Sequence, residues 1–177
     1  MRITAQKILD VFNHRKDVFA HQQPKGIYLP QRRPATLEDI EKHLKGEVTI
    51  GFYCLNTDNT VKWACIDLDG ADLRRLDYDS KIMYNAFPEF NRMREFSGRR
   101  GYHVWIFFVV PVPAAYAQQL IRSRLNRLGM NKHEIFPKQT ELNEGRKYGS
   151  LVKLPLALHK VSGKFSEILE MEGDLWD

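Results

Sequence analysis

The stretch ACIDLDG, residues 64–70, sets two carboxylates two positions apart inside an apolar run. On an extended strand, side chains at i and i+2 point to the same face. Cys65, Asp67 and Asp69 then share one face, and Ile66 and Leu68 take the other. Two like charges side by side raise each other's pKa, and acids on a half-buried strand are costly unless paired or metal-bound. Hard oxygen ligands of this kind suit Mg²⁺ or Mn²⁺, with substrate phosphates as the remaining ligands. The plainer alternative is a coil in which both acids point into water.

Working outward, VTIGFYCL (48–55) precedes this strand as another, and NTDNT (56–60) reads as the hairpin loop between them. Upstream, Ile3, Ile8, Leu9, Val11, Phe12 and Phe19 predict a helix over residues 3–19. HQQPKGIYLPQRRPA (21–35) then reads as a loop punctuated by Pro and Gly. Thr36, three residues before Asp39, opens a second helix that Gly46 stops. Downstream, residues 72–87 read as a helix and REFSGRRGYHVWIFFVV (94–110) as strand, tight turn, strand. A helix follows from Ala114 to Leu128, closed by Gly129. EIFPKQ (134–139), SLVKLPLAL (150–158) and FSEILEM (165–171) read as short strands. This order predicts an α+β fold, a mostly antiparallel sheet with packed helices. At 177 residues one core suffices, divided into a small N-terminal lobe (1–60) and a larger unit (61–177).

Net charge is +5, but its distribution says more. From Arg92 to Lys160 there are thirteen Lys or Arg against four Asp or Glu, whereas the stretch from Phe165 has five acids and no base. A basic middle beside acidic clusters suits a polyanion bound next to a metal site; a solvated basic face is the alternative. No apolar run approaches a membrane span, and the start lacks the apolar core of a signal peptide. Cys54 and Cys65, with no CxxC pattern, read as free thiols in a reducing compartment, the cytoplasm, and not as zinc ligands.

Four further segments carry chemistry. In FSGRRGYHVWIFF (96–108), Gly98 and Gly101 permit a tight turn from which Arg99 and Arg100 project, and His103 lies just inside the outgoing strand. Backbone N–H groups and an imidazole make a phosphate site; a surface hairpin with a core histidine is the alternative. In SLVKLPLALHK (150–160), Lys153 interrupts an apolar strand ahead of His159 and Lys160. It is either a cation aimed at a triphosphate or a snorkelling edge residue. EIFPKQ adds Lys138 and Gln139. In FSEILEMEGD (165–174), strict alternation groups Glu170 with Ser166 and Ile168, making Glu170 the candidate third carboxylate, with Glu167 and Glu172 as rivals.

FSGRRGYHVW closely resembles the Ser-Gly-Arg-Arg-Gly-x-His-x-Trp segment of replicative primase small subunits. An Asp-x-Asp strand, a small-x-His hairpin and a late acid resemble the three motifs of the archaeo-eukaryotic primase superfamily, here Asp67 and Asp69, Gly101 and His103, and Glu170. GIYLP, HLKGEVTIGFY, EIFPKQ and KLPLALHK followed by SGK resemble the primase-polymerase domains of CRISPR-associated and TOTE conflict systems. The likeness runs from Phe19 to Glu170. It implies an RRM-like palm with a small N-terminal α/β lobe, excised from a longer protein.

The resemblance further implies a nucleotidyltransferase, a DNA primase-polymerase using (d)NTPs and a single-stranded DNA template. Two Mg²⁺ or Mn²⁺ ions would be held by Asp67, Asp69 and Glu170. Ser97, Gly98, Arg99, Arg100, Gly101, His103, Lys153 and His159 would hold the nucleotide, and Lys138, Gln139 and Lys160 the nucleic acid. Tyr28 is a candidate neighbour of the sugar. The isolated core is expected to be monomeric and to meet CRISPR or mobile-element proteins through its parent chain. Two cysteines cannot build the zinc insertion of replicative primases; the third acid is Glu where Asp is commoner; and Gly101 supplies no hydroxyl, which leaves Ser97 to offer one. The rival functions are a metal-dependent nuclease, which would leave Lys153 and His159 idle, and a non-catalytic single-stranded nucleic-acid-binding module.

Overall fold

Strand β4 of the computed structural model, which describes residues 3–176, is the axis around which the site is built. The elements are α1 (Ala5–Phe12), β1 (Phe19–Gln22), β2 (Tyr28–Gln31), α2 (Leu37–Leu44), β3 (Ile50–Tyr53) and β4 (Thr60–Asp69). They continue with α3 (Leu73–Asn85), β5 (Asn91–Phe96), β6 (Gly101–Pro113), α4 (Ala114–Arg127), β7 (Glu134–Phe136) and β8 (Leu151–Lys153). Then come β9 (Leu158–His159), β10 (Lys164–Phe165), β11 (Glu167–Glu172) and a closing 3₁₀ turn, Asp174–Trp176.

The palm is a five-stranded sheet in the order β11-β5-β6-β4-β7, antiparallel throughout. A second, four-stranded sheet has the order β2-β1-β3-β8, so its last strand comes from far along the chain. The fold is α+β with a mostly antiparallel sheet, as expected.

Two cores sandwich the palm. On one face, Trp63 and Cys65 of β4 join Met93, Trp105, Phe107 and Phe136 against Phe12 of α1, Ile40 of α2 and Phe19, Ile50, Phe52 and Val152 of the second sheet. On the other face, Ala64, Ile66 and Leu68 meet Met83 and Tyr84 of α3 and Ala117, Ile121 and Leu125 of α4. The alternation read from ACIDLDG therefore holds, and a strand covered on both faces explains its continuous apolar run. Phe12 packs edge-on against Trp105 and Phe107, with ring centroids 5.1 and 5.3 Å away. Such pairs add about 0.5–1.5 kcal/mol each beyond their buried area.

Three local expectations differ. First, α1 stops at Phe12 and does not run to residue 19. The buried Arg15 guanidinium donates to the carbonyls of Leu55, Lys147 and Tyr148, tying the chain down just past the helix. Second, residues 21–35 hold most of a hairpin, with Phe19 facing Gln31 and Gln22 facing Tyr28. Its turn is closed by the Gln23 N–H on Ile27 O and the Gly26 N–H on Gln23 O. Third, β3 and β4 do not form a hairpin. The Asn56–Thr60 turn exists, with the Asp58 carboxylate accepting from the Thr60 N–H and hydroxyl. But β6 and β7 take both edges of β4, while β3 pairs with β1 and β8. The long apolar β6 outcompetes the four-residue β3 as a partner.

Candidate active site

Past Cys65 and Ile66, β4 runs out from under the second sheet, and Asp67 and Asp69 emerge at the edge where the two sheets part. A cleft of about 330 Å³ opens there. Asp67, Asp69, Gly101, His103 and Phe136 of the palm form one wall; Gln22, Tyr28, Leu151, Val152 and Lys153 of the second sheet form the other. Ser97, Arg99, Arg100 and His159 close its end.

Sheet register lines up the reactive side chains. Asp67 stands opposite His103 on β6, His103 opposite Glu95 on β5, and Asp67 on its other side opposite Glu134 on β7. Directly opposed residues share a face, so Glu95, His103, Asp67 and Glu134 form one row across four strands. Asp69, opposite Gly101, belongs to the same face. A β-carbon at Gly101 would lie 2.6 Å from the Leu68 carbonyl, so glycine is what lets β6 approach β4 here. Gly98, at φ +89, shapes the turn, which the Ser97 N–H closes by donating to Gly101 O at 2.9 Å.

The electrostatics follow from burial. Glu95 is fully buried, and its Oε2 accepts from His103 Nδ1 at 2.9 Å and Trp105 Nε1 at 3.1 Å. Desolvation works against both charges, but the paired charges and their hydrogen bond prevail: the His103 pKa is raised and the Glu95 pKa lowered. With Nδ1 fixed on Glu95, Nε2 faces the cleft, 3.6 Å from Asp67 Oδ1. Burial raises the Asp67 pKa; His103 opposes this, and Asp69 and Glu134 add to it. Lys153 Nζ donates to the Ser97 carbonyl at 2.7 Å, and burial lowers its pKa against the pull of Glu95 and Asp67. His159 Nδ1 accepts the Ser162 N–H at 3.2 Å, which leaves Nε2 to carry the proton of the neutral ring.

Besides the buried Glu95, three carboxylates share this face, Asp67, Asp69 and Glu134, and of these Asp67 and Asp69 line the cleft. Glu134 is exposed and pairs with Lys138 at 2.9 Å, while Asp69 pairs with Arg100 at 3.2 Å. As they stand, no group of three His, Cys, Asp or Glu among the described residues is close enough to hold a metal ion. The donor set nevertheless fits one. It is all oxygen, its acids repel one another, and lysine or arginine now occupies two of them.

Glu170 is not brought to this site. A bulge between Ile168 and Glu170 breaks the alternation of β11, so Ile168 stands opposite Glu95 but Glu170 opposite Arg94. One extra residue turns every following side chain to the other face. There Glu170 accepts from Arg94 Nε at 2.8 Å, and Arg94 also holds Asp77 of α3. Its rivals lie on that far face too: Glu172 pairs with Arg92, and Glu167 stands opposite Phe96.

Of the other expected residues, Gly98 is buried in the turn, its carbonyl accepting from the Ser162 hydroxyl. Lys160 reaches the cleft rim, donating to Gln22 O at 3.1 Å. Lys138 and Gln139 do not line the cleft. Tyr28 does. Sequence reasoning missed Glu95 and Glu134; their signal was an acid sharing strand parity with His103 or with Phe136.

The family model of the archaeo-eukaryotic primase domain of TOTE conflict systems matches residues 4–176. The chain belongs to this family. Among solved structures it is similar to the archaeo-eukaryotic primase domain of the cyanophage S-2L primase-polymerase. The TM-score is 0.55 at 14% identity, over 90% of this chain and 83% of that one. It is also similar to the polymerase domain of Mycobacterium tuberculosis ligase D in complex with DNA, with a TM-score of 0.53 at 13% identity over 88% and 74%. At these identities the likeness is one of fold. No curated protein matches the chain. In this primase-family domain, the Asp-x-Asp and Gly-x-His motifs are the two whose side chains meet in the cleft. No helix among the described residues is long and apolar enough to cross a membrane.

Proposed function

We propose that this domain catalyses template-directed nucleotidyl transfer, extending or priming a strand on single-stranded DNA from (d)NTPs. One observation carries the reading: Asp67 and Asp69 of the palm line a cleft whose other sides present Lys153, His159, Arg99 and Arg100. Phosphoryl transfer is mainly positioning and charge stabilisation, and it needs this division of labour. Asp67, Asp69 and Glu134 would hold the divalent ions, Mg²⁺ or Mn²⁺, whose chemistry is to lower the pKa of the attacking 3′-hydroxyl and to neutralise the departing pyrophosphate.

The chain's own residues do the rest. His103, its Nδ1 held by Glu95, donates from Nε2 to a phosphate oxygen. Lys153, His159, Arg99 and Arg100 neutralise the triphosphate. Arg100 exchanges the Asp69 carboxylate it now holds for phosphate. The 3′-oxygen bonds to the α-phosphorus as the α–β anhydride breaks, and the hydroxyl proton leaves to solvent. The domain works as a monomer in the cytoplasm, and any CRISPR or mobile-element partner is met through a longer parent chain.

The test is the length of a 5′-labelled primer on a single-stranded template with Mn²⁺, with and without dNTPs. Growth that needs dNTPs and is lost in Asp67→Asn supports the reading. Metal-dependent shortening without dNTPs would replace it with the nuclease, and an unchanged but bound strand with a binding module.

A further inference from the structure

The second sheet has one face on the core and one without a helix. Helices α1 and α2 join the core on the side of Phe19, Ile50, Phe52 and Val152. The residues between them, Ala20, Tyr28, Tyr53 and Leu151, form a separate cluster with Val18 and Tyr148 that contains no helix residue. This face is aromatic, with Tyr148 on Tyr53 at 5.3 Å. It is also low: a β-carbon at Gly51 would strike Leu151 at 2.5 Å and Tyr28 at 3.0 Å, so glycine lets both side chains close over the strand.

Strand direction gives the face two ends. Gln22, Tyr28 and Lys153 lie at one end, in the catalytic cleft. Tyr148 lies at the other, where Arg32 donates to its hydroxyl at 3.0 Å and the Arg15 guanidinium sits 5.5 Å from its ring. Arg32, Arg146 and Lys147 are exposed there, and the Asp17 carboxylate is taken by Arg15 at 2.8 Å. The surface thus combines the partly exposed rings of Tyr28 and Tyr148 with cations, and its Tyr28 end lines the cleft. That combination recognises a flexible polyanion with stackable rings.

We propose that this face, from Tyr148 and Arg32 to Tyr28, is a stacking platform that receives a single-stranded polynucleotide and leads it into the cleft. The proposal deepens the polymerase reading and rests on it for the identity of the strand, the template. Tyr148 stacks on a base. Arg32 and Lys147 hold flanking phosphates.

The test is fluorescence anisotropy of labelled oligo(dT) with the whole domain in EDTA, without nucleotide, over a range of salt. Tyr148→Ala should weaken binding roughly tenfold, the loss of one stacked base. Because Tyr148 also packs on Tyr53, the double variant Arg32→Gln/Lys147→Gln, changed only at exposed positions, provides a second reading. It should lower the slope of log affinity against log salt by about one for each phosphate released, with an unchanged melting temperature. Wild-type affinity and slope in both variants would overturn the proposal, as would no oligonucleotide binding at all. Failure of the polymerase reading looks different: the wild-type domain binds oligo(dT) with these same losses yet never lengthens a primer.

Discussion

Glu134 and Glu170 carry the same side chain, and the fold assigns them opposite fates. Glu134 opens a three-residue strand and meets Asp67 only through long-range pairing. So short a strand has no periodicity to read, and its partner lies more than sixty positions upstream. Glu170 looked correctly placed because alternation was assumed across a bulge that composition does not announce. Asp67, Asp69 and His103 were legible because each sits on a long strand, in the part where β4 and β6 pair without interruption from Trp63 to Asp69. The distinction can be measured. Glu134→Gln should lower primer extension by about a hundredfold or more, the scale for losing a group that stabilises transition-state charge. Glu170→Gln should leave extension at the wild-type rate and affect only folding, since Arg94 keeps Asp77. The reverse pattern would restore the C-terminal acid to the site. At His103 the account predicts that Asn raises KM for the nucleotide by about tenfold or more, the worth of a charge-assisted hydrogen bond. A fall in kcat alone would place His103 away from the triphosphate.

At the scale of elements, local signals worked where one residue decides a boundary and failed where a distant partner does. Helix α2 begins as its sequence says. Thr36 Oγ1 accepts the Asp39 N–H, and the Asp39 carboxylate accepts the Thr36 N–H while gripping Arg33. Arg33 holds that carboxyl well below the usual carboxylate range. Thr36→Ala should therefore cost about 1 kcal/mol, a fall of about 2–4 °C in melting temperature, read by differential scanning calorimetry. No change would mean that Arg33 alone fixes the helix start. The NTDNT turn was equally legible, yet it joins strands of two different sheets. Turn chemistry reverses a chain; it does not choose the strand's neighbour.

The whole molecule is two sheets that share a core and diverge at the cleft, so whatever links their connections sets the cleft's shape. On the second sheet's side, His43 of α2 ties β3 to the segment after β8. Fully buried, it donates from Nε2 to Pro155 O at 2.9 Å and accepts the Ile50 N–H on Nδ1 at 3.0 Å. Burial lowers its pKa to about 4, against about 6.5 in the unfolded chain. The unfolded state therefore binds the proton first. The contribution is fully present above pH 6.5 and is lost as pH falls through about 4. It amounts to about 3 kcal/mol. Denaturant unfolding at pH 7 and pH 5 should show the wild type losing more stability than His43→Gln, and equal losses would remove His43 from the account. The central claim is that this cleft copies a template. It is tested most directly by single-nucleotide incorporation on four primed templates that differ only in the next base, beside Asp67→Ala/Asp69→Ala. The account predicts that the nucleotide added changes with the template base, and that the double variant adds none. The same nucleotide added on all four templates, or incorporation that survives loss of both aspartates, would contradict it.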